Sequence, residues 1–276
     1  MYNFIIEKES KYRIFLNRLG YTKVFAPFFA AFWIPIAAFY VGNSADPNII
    51  RQGLFTTSDS VCAVKFVLLD DWTTGKSLQV VNASDVNSFN RNATGAGFTI
   101  DFFHLLNING FYMANSTNCT FPGYNNDQLY FKIKNSYAYI VGGQLIVFDR
   151  ENFTLSLFGQ YMHEIDRLGI LTKNNVSIKV PGNSRFFSSE IQGGFQIAYT
   201  LNYLVPYIGW YYAHYSAELT KLPYQFDNRP RINFINPTKN GFVLGLTISS
   251  HNYFSFNVEA RLLAEYAIGS DLCIKF

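Results

Sequence analysis

Chemically capable residues are sparse in this chain. His163, Glu164 and Asp166 bring an imidazole and two carboxylates within four consecutive positions, a grouping that could serve general acid–base chemistry. It stops short of a helical zinc motif, whose second histidine is absent. His104, His214 and His251 stand apart in the sequence, and no Gly-x-Ser-x-Gly elbow offers an activated serine. Cys62, Cys119 and Cys273 form no Cys-x-x-Cys pair, which argues against a zinc or redox centre. An odd cysteine count in an exported chain leaves at least one thiol unbridged or bridged to another molecule. Cys119 lies among Asn, Ser, Thr, Pro and Gly, reads as a loop residue, and is the best placed for an external bridge. The bland alternative leaves all three as reduced small hydrophobes. No catalytic residue, metal or cofactor is expected, and the chain does not read as an enzyme.

The polar residues that share a parity are more informative. Gln192, Gln196, Thr200 and Asn202 alternate with Ile191, Phe195, Ile197, Tyr199 and Leu201. Asn257, Glu259 and Arg261 alternate with Phe254, Phe256, Val258 and Leu262. On a strand, residues two apart share a face, so these polar sets form walls. A wall of that kind suits a water-filled lumen, where polar groups replace the hydration a solute gives up. Glu259 and Arg261 either set a field across the lumen or simply pair with each other.

The elements that must carry such walls are strands between two different solvents. In residues 253–276 every second residue is apolar or small, with Ser255, Asn257, Glu259 and Arg261 between them. Tyr266, Ile268, Leu272, Ile274 and the final Phe276 continue the pattern, which puts Cys273 on the lumen side. Aromatic residues at strand ends fit the two girdles of a membrane barrel, whose last strand closes the sheet. The final strand is therefore expected to pair with the first strong strand candidate, which begins near Val61. The helix propensity of residues 259–267 leaves the last turn uncertain by a few positions.

Composition agrees. Aromatics make up 18% of the 276 residues, with 28 Phe and 19 Tyr, while charged residues reach only 15%. Soluble domains carry about 25% charge. Mean hydropathy is near neutral at +0.05, unlike a helical membrane protein. A net charge of +3 with no basic patch gives no footprint for nucleic acid. The balance suits an all-β transmembrane antiparallel β-barrel, and the periodic runs count to about 14 strands, with 12 or 16 open.

Along the chain, residues 24–41 carry no charge and follow a basic segment, which is the layout of a secretory signal peptide. A signal over residues 1–38, cleaved near Ala38, leaves a barrel domain over 39–276. Residues 61–72 and 97–106 read as strands, and 76–81 as a partner of the first. Residues 86–96, 115–127, 166–189 and 218–240 are rich in polar and turn-forming types and read as loops. Residues 137–148 and 153–161 flank the tight turn 149–152, a hairpin expected on the periplasmic side.

Four segments resemble the chlamydial major outer membrane porin family. They are FYVGNSADPNIIRQGLF, YAYIVGGQLIVFDRENFTLSLFGQYMHE, GFQIAYTLNYLVPYIGWYYAHYSAEL and the closing GFVLGLTISSHNYFSFNVEARLLAEYAIGSDLCIKF. They are colinear with that family and include both ends of the mature chain. The resemblance implies an outer-membrane porin that admits ions and small solutes, is often a homotrimer, and sits in outer-membrane lipid. It also implies a structural envelope role through disulfides to other envelope proteins. This chain is shorter than the family pattern and poorer in cysteine.

Overall fold

The computed structural model describes residues 62–81, 85–123, 127–133, 136–249 and 253–276. The expected signal peptide and cleavage site, the mature amino terminus and His251 lie outside the described residues.

Period-two alternation runs through nearly every described segment, so the regular elements of the described residues are all strands. They are β1 (Cys62–Lys76), β2 (Gln79–Val80), β3 (Ser88–Phe102), β4 (Leu106–Pro122), β5 (Gln128–Ile133), β6 (Ser136–Arg150) and β7 (Phe153–Lys173). There follow β8 (Val176–Ile178), β9 (Arg185–Tyr199), β10 (Leu204–Thr220), β11 (Arg231–Ile235), β12 (Asn240–Ser249), β13 (Phe254–Leu262) and β14 (Glu265–Lys275). All fourteen lie in one sheet, and every pairing is antiparallel.

Ten of them close a ring. β1, β3, β4, β6, β7, β9, β10, β12, β13 and β14 pair in that order. β14 then returns to β1, from Lys65 opposite Lys275 to Lys76 opposite Glu265. The expected closing pair is therefore formed, and the ring has no open edge. The other four strands lengthen it at one end. β5 runs between β4 and β7, β11 lies along β10, and β8 folds back on β7. β2 pairs with β11, not with β1 as its position in the sequence suggested.

Connections differ between the two ends. At one end, residues 103–105, 151–152 and 200–203 make short turns, with His104, Glu151 and Asn202 at positive φ, the backbone conformation that tight hairpins demand. The described termini, Cys62 and Phe276, lie at this end, where Phe276 N–H donates to the Val64 carbonyl. Most of the longer connections, including 174–184 and 221–239, are at the other end. The β13–β14 turn needs only Leu263 and Ala264, with Leu263 at φ 78°.

The outer face carries an apolar belt. Leu68, Phe98, Ile108, Val141, Leu157, Ile208, Leu244, Val258 and Ile268 are exposed on it. Trp72, Tyr112, Tyr137, Tyr139, Tyr161, Tyr212 and Tyr266 rim it toward the long-connection end, and Phe103, Phe148, Tyr199, Tyr203 and Phe254 toward the short-turn end. Tyr112 stacks on Tyr137 at 5.5 Å. A closed barrel with an apolar belt between two aromatic girdles is a transmembrane β-barrel.

Three of the four expected loops are largely strand, and the fourth, 218–240, holds β11 and the end of β10. β3 starts at Ser88, β4 runs to Pro122, β7 runs to Lys173, and β9 starts at Arg185. Above the girdle the strands leave the lipid, so their outer face turns polar, with Asn90, Asn92, Asn118 and Thr120. Their apolar residues, such as Phe89, Cys119 and Phe121, turn inward and are buried. The alternation persists there with its phase reversed.

Candidate functional site in the barrel interior

Inward-facing residues meet at three levels. Nearest the short turns, Lys275 Nζ lies 3.7 Å from Asp101 Oδ2. Next to this, Asn107 Nδ2 donates to Gln144 Oε1 at 3.4 Å, and Gln144 Nε2 donates to Ser156 Oγ at 3.2 Å and to Gln196 Oε1 at 3.4 Å. Thr247, Asn257 and Asp271 form a second chain, with contacts of 3.0 and 2.8 Å. Val67, Phe111, Ile140 and Phe158 share this interior as an apolar patch.

The middle level is a buried ion network. Arg261 Nη2 contacts Asp71 Oδ2 at 2.9 Å, its Nε lies 2.9 Å from Glu265 Oε1, and its Nη1 lies 3.6 Å from Glu259 Oε1. Lys76 Nζ bridges Glu190 at 2.6 Å and Glu265 at 3.1 Å, and sits 4.6 Å from the Tyr215 ring centroid. Arg91 approaches Asp71 at 3.7 Å. Polar neighbours extend the network. Tyr207 Oη donates to Glu259 at 2.9 Å, Gln192 Nε2 to Glu190 at 3.0 Å, and Gln160 to Gln192 at 2.9 Å. Five ring strands contribute charges, so only closure assembles them. Charges buried this deeply are tolerable because each meets an opposite partner.

The tyrosines beside the network need glycine across the sheet. Tyr207 is opposite Gly245 and Tyr211 opposite Gly241. A Cβ on Gly245 would come within 2.1 Å of the Tyr207 ring, and one on Gly241 within 2.3 Å of Tyr211. The missing side chains let each ring lie flat on the opposite backbone.

At the long-connection end the interior is an aromatic plug. Phe121 meets Phe234 edge-on at 5.2 Å, and Phe131 lies 5.5 Å from Phe186. Phe226, from the connection after β10, inserts between the strand ends and is buried. Asp227 and Arg229 hold that connection through contacts of 2.9 and 3.0 Å, which raise the guanidinium's affinity for its proton.

The sequence-predicted wall is only partly assembled. Gln192, Gln196, Asn257, Glu259 and Arg261 all face inward, with exposures of 1%, 0%, 2%, 2% and 0%. They were expected to line water; instead they lie in a filled interior. Small barrels are filled by their own side chains, and Lys65, Arg91, Tyr211, Tyr215, Arg261 and Lys275 occupy this one. Thr200 and Asn202 do not join the wall. Thr200 is half-buried at the strand end, and Asn202 is exposed in the β9–β10 turn, because the strand ends at Tyr199. Asp71, Lys76, Arg91, Glu190 and Glu265 were missed. Asp71 and Lys76 lay at the ends of expected strands, Arg91 in an expected loop, Glu190 at the edge of one and Glu265 near the last turn, yet Glu190 shares the parity of Gln192, and Arg91 that of Ala93.

Two chemical candidates dissolve. His163 and Glu164 are neighbours on a strand and so face opposite ways. His163 packs on Tyr139 and Tyr161 in the outer girdle, while Glu164 accepts inward bonds from Ser136 and Ser188. Cys119 is in strand β4, not a loop, and is 1% exposed in the plug, so no external partner reaches it. Cys273 faces inward as expected, Cys62 is exposed at the rim, and the three thiols are not joined to one another.

No family model matches the sequence, and no curated protein matches it. Among solved structures, the chain is similar to an outer membrane channel from Pseudomonas putida F1 at 10% identity and TM-score 0.41, covering 79% of this chain and 96% of that one. It is also similar to the transport unit of the autotransporter AIDA-I from Escherichia coli, at 12% identity and TM-score 0.43, covering 84% and 97%. The outer membrane protease OmpT from Escherichia coli aligns at 9% identity and TM-score 0.37, covering 78% and 93%.

Proposed function

We propose that this protein is an outer-membrane channel of the porin type, closed in the conformation described, that passes ions or small solutes by passive diffusion once its interior rearranges. The observation that carries the reading is the run of inward polar and charged groups from Asp101 and Lys275 to the Arg261 network. A barrel serving only as a scaffold is more simply filled with apolar side chains, since every buried polar group must be matched. A conduction path needs polar walls. The even ring with short turns at one end and longer connections at the other supports an outer-membrane setting. No chemical step is involved. The kinship with chlamydial porins and a homotrimeric assembly belong to the same proposal.

The plug favours a second reading, a structural envelope barrel that does not conduct. Planar-bilayer recording separates the two. A closed channel gives brief, small steps from the wild type and larger, longer ones from Phe121→Ala with Phe226→Ala. Silence from both folded proteins would sink the channel and leave the structural barrel.

A further inference from the structure

We propose that the outer surface of β5, β7 and β9, just above the upper aromatic girdle, holds the phosphorylated headgroup of an anionic outer-leaflet lipid. Arg167 on β7 lies directly opposite Arg185 on β9, and Lys132 on β5 lies opposite Ile170, the next outward position along β7. Like charges directly opposite on one face of a sheet repel, so an anion between them removes a penalty the bare barrel carries.

The protein supplies no such anion among its described residues. The outward neighbours on these strands are Tyr130, Ile165, Ile170, Thr172, Phe187 and Ser189. Asp166 faces inward and accepts the Tyr137 N–H at 3.1 Å. Glu218, on the next strand, is engaged by Arg231 at 3.4 Å. Arg185 donates to the Gly182 and Ser184 carbonyls at 3.1 and 3.2 Å, which steadies its guanidinium at the rim.

The surface below suits acyl chains. Ile165 is exposed one outward position below Arg167, and Tyr137, Tyr139 and Tyr161 continue into the belt. Two guanidiniums and an ammonium above an apolar slope match a phosphate-bearing headgroup with its chains running down the barrel. The docking rests on the membrane setting proposed above, not on conduction.

The test uses the full chain in mild detergent, with a bis-phosphorylated, acylated glucosamine disaccharide as probe and the same lipid after enzymatic dephosphorylation. The wild type is expected to prefer the phosphorylated probe by about a hundredfold, from roughly 1 kcal/mol per cation. Lys132→Gln with Arg167→Gln and Arg185→Gln should abolish that preference, and Arg150→Gln at the opposite rim should keep it. Heat-modifiable gel migration checks folding; if the triple variant does not fold, Arg167→Gln alone should lower the preference about fivefold. Equal wild-type binding of both probes, a folded variant that keeps the full preference, or displacement of the probe by equimolar inorganic phosphate would each overturn the docking. Failure of fractionation to place the protein in a membrane would instead refute the membrane setting, and silent bilayers would bear only on conduction.

Discussion

The lower and upper parts of the barrel use one backbone plan with opposite chemistry. In β3 below the girdle, Phe98 and Ile100 point out while Thr99 and Asp101 point in; above it, Asn90 and Asn92 point out while Phe89 and Ala93 point in. β4 repeats the switch, with Ile108 and Tyr112 out beside Asn107 in, then Asn118 and Thr120 out beside Cys119 and Phe121 in. The strands do not change geometry at the girdle; only the outside solvent changes, from lipid to water. Above the girdle, folding gains the usual hydrophobic stabilisation by burying the Phe cluster. Below it, outward apolar residues meet lipid, and specificity inside falls to polar pairing. The ion network sits where the two regimes meet.

The comparison breaks most readily at Arg261. Arg261→Met leaves Asp71, Glu259 and Glu265 facing one cation fewer, and should cost about 3–5 kcal/mol, read from urea unfolding in lipid vesicles by tryptophan fluorescence. A smaller loss than that of an exposed substitution would mean that the interior is wet. A matched pair sharpens the solvent boundary. Leu244→Arg in the belt should cost about 2–4 kcal/mol, whereas Asn92→Arg above it should stay within about 0.5 kcal/mol; equal effects would move the membrane plane. Gly245→Ala forces the Tyr207 ring off the backbone and away from Glu259, for about 1–3 kcal/mol by overpacking, and Tyr207→Phe in the same background should add little.

The smallest effect lies in the water-exposed connections. Asp127, between β4 and β5, accepts bonds from Lys173 at 2.7 Å and Asn174 at 2.8 Å, and these hold its carboxyl below the usual value. A depressed folded-state pKa means the contact stabilises above the carboxyl's unfolded pKa and is lost as pH falls through the lowered one. Once the intrinsic pH dependence of amide exchange is divided out, protection of the β5 amides should therefore fall at acid pH in the wild type, and lose that dependence in Asp127→Asn.

Much of this was legible because a strand's period of two survives a change of solvent. The final hairpin's faces, with Phe254, Val258 and Leu262 out and Asn257, Glu259 and Arg261 in, followed from alternation alone. The upper strands were misread as loops because Asn, Ser and Thr dominate their outer face, and turn chemistry uses the same residues. Phe89, Cys119 and Phe121, at matched parity between those polar residues, were the available signal. The ion network was harder to see, since Asp71, Arg91, Glu190, Arg261 and Glu265 come from strands far apart in sequence.

The sequence by itself determined that the chain alternates, that it carries an apolar belt between aromatic girdles, and that its last strand must close the sheet. Those are local consequences of residue type on a pleated backbone. Only the tertiary structure decided how many strands share the ring, and therefore how much space it encloses. That number makes Gln192, Gln196 and Arg261 a packed interior and not the wall of a wide pore. Interior volume is set by closure, and closure is a property of all the pairings at once.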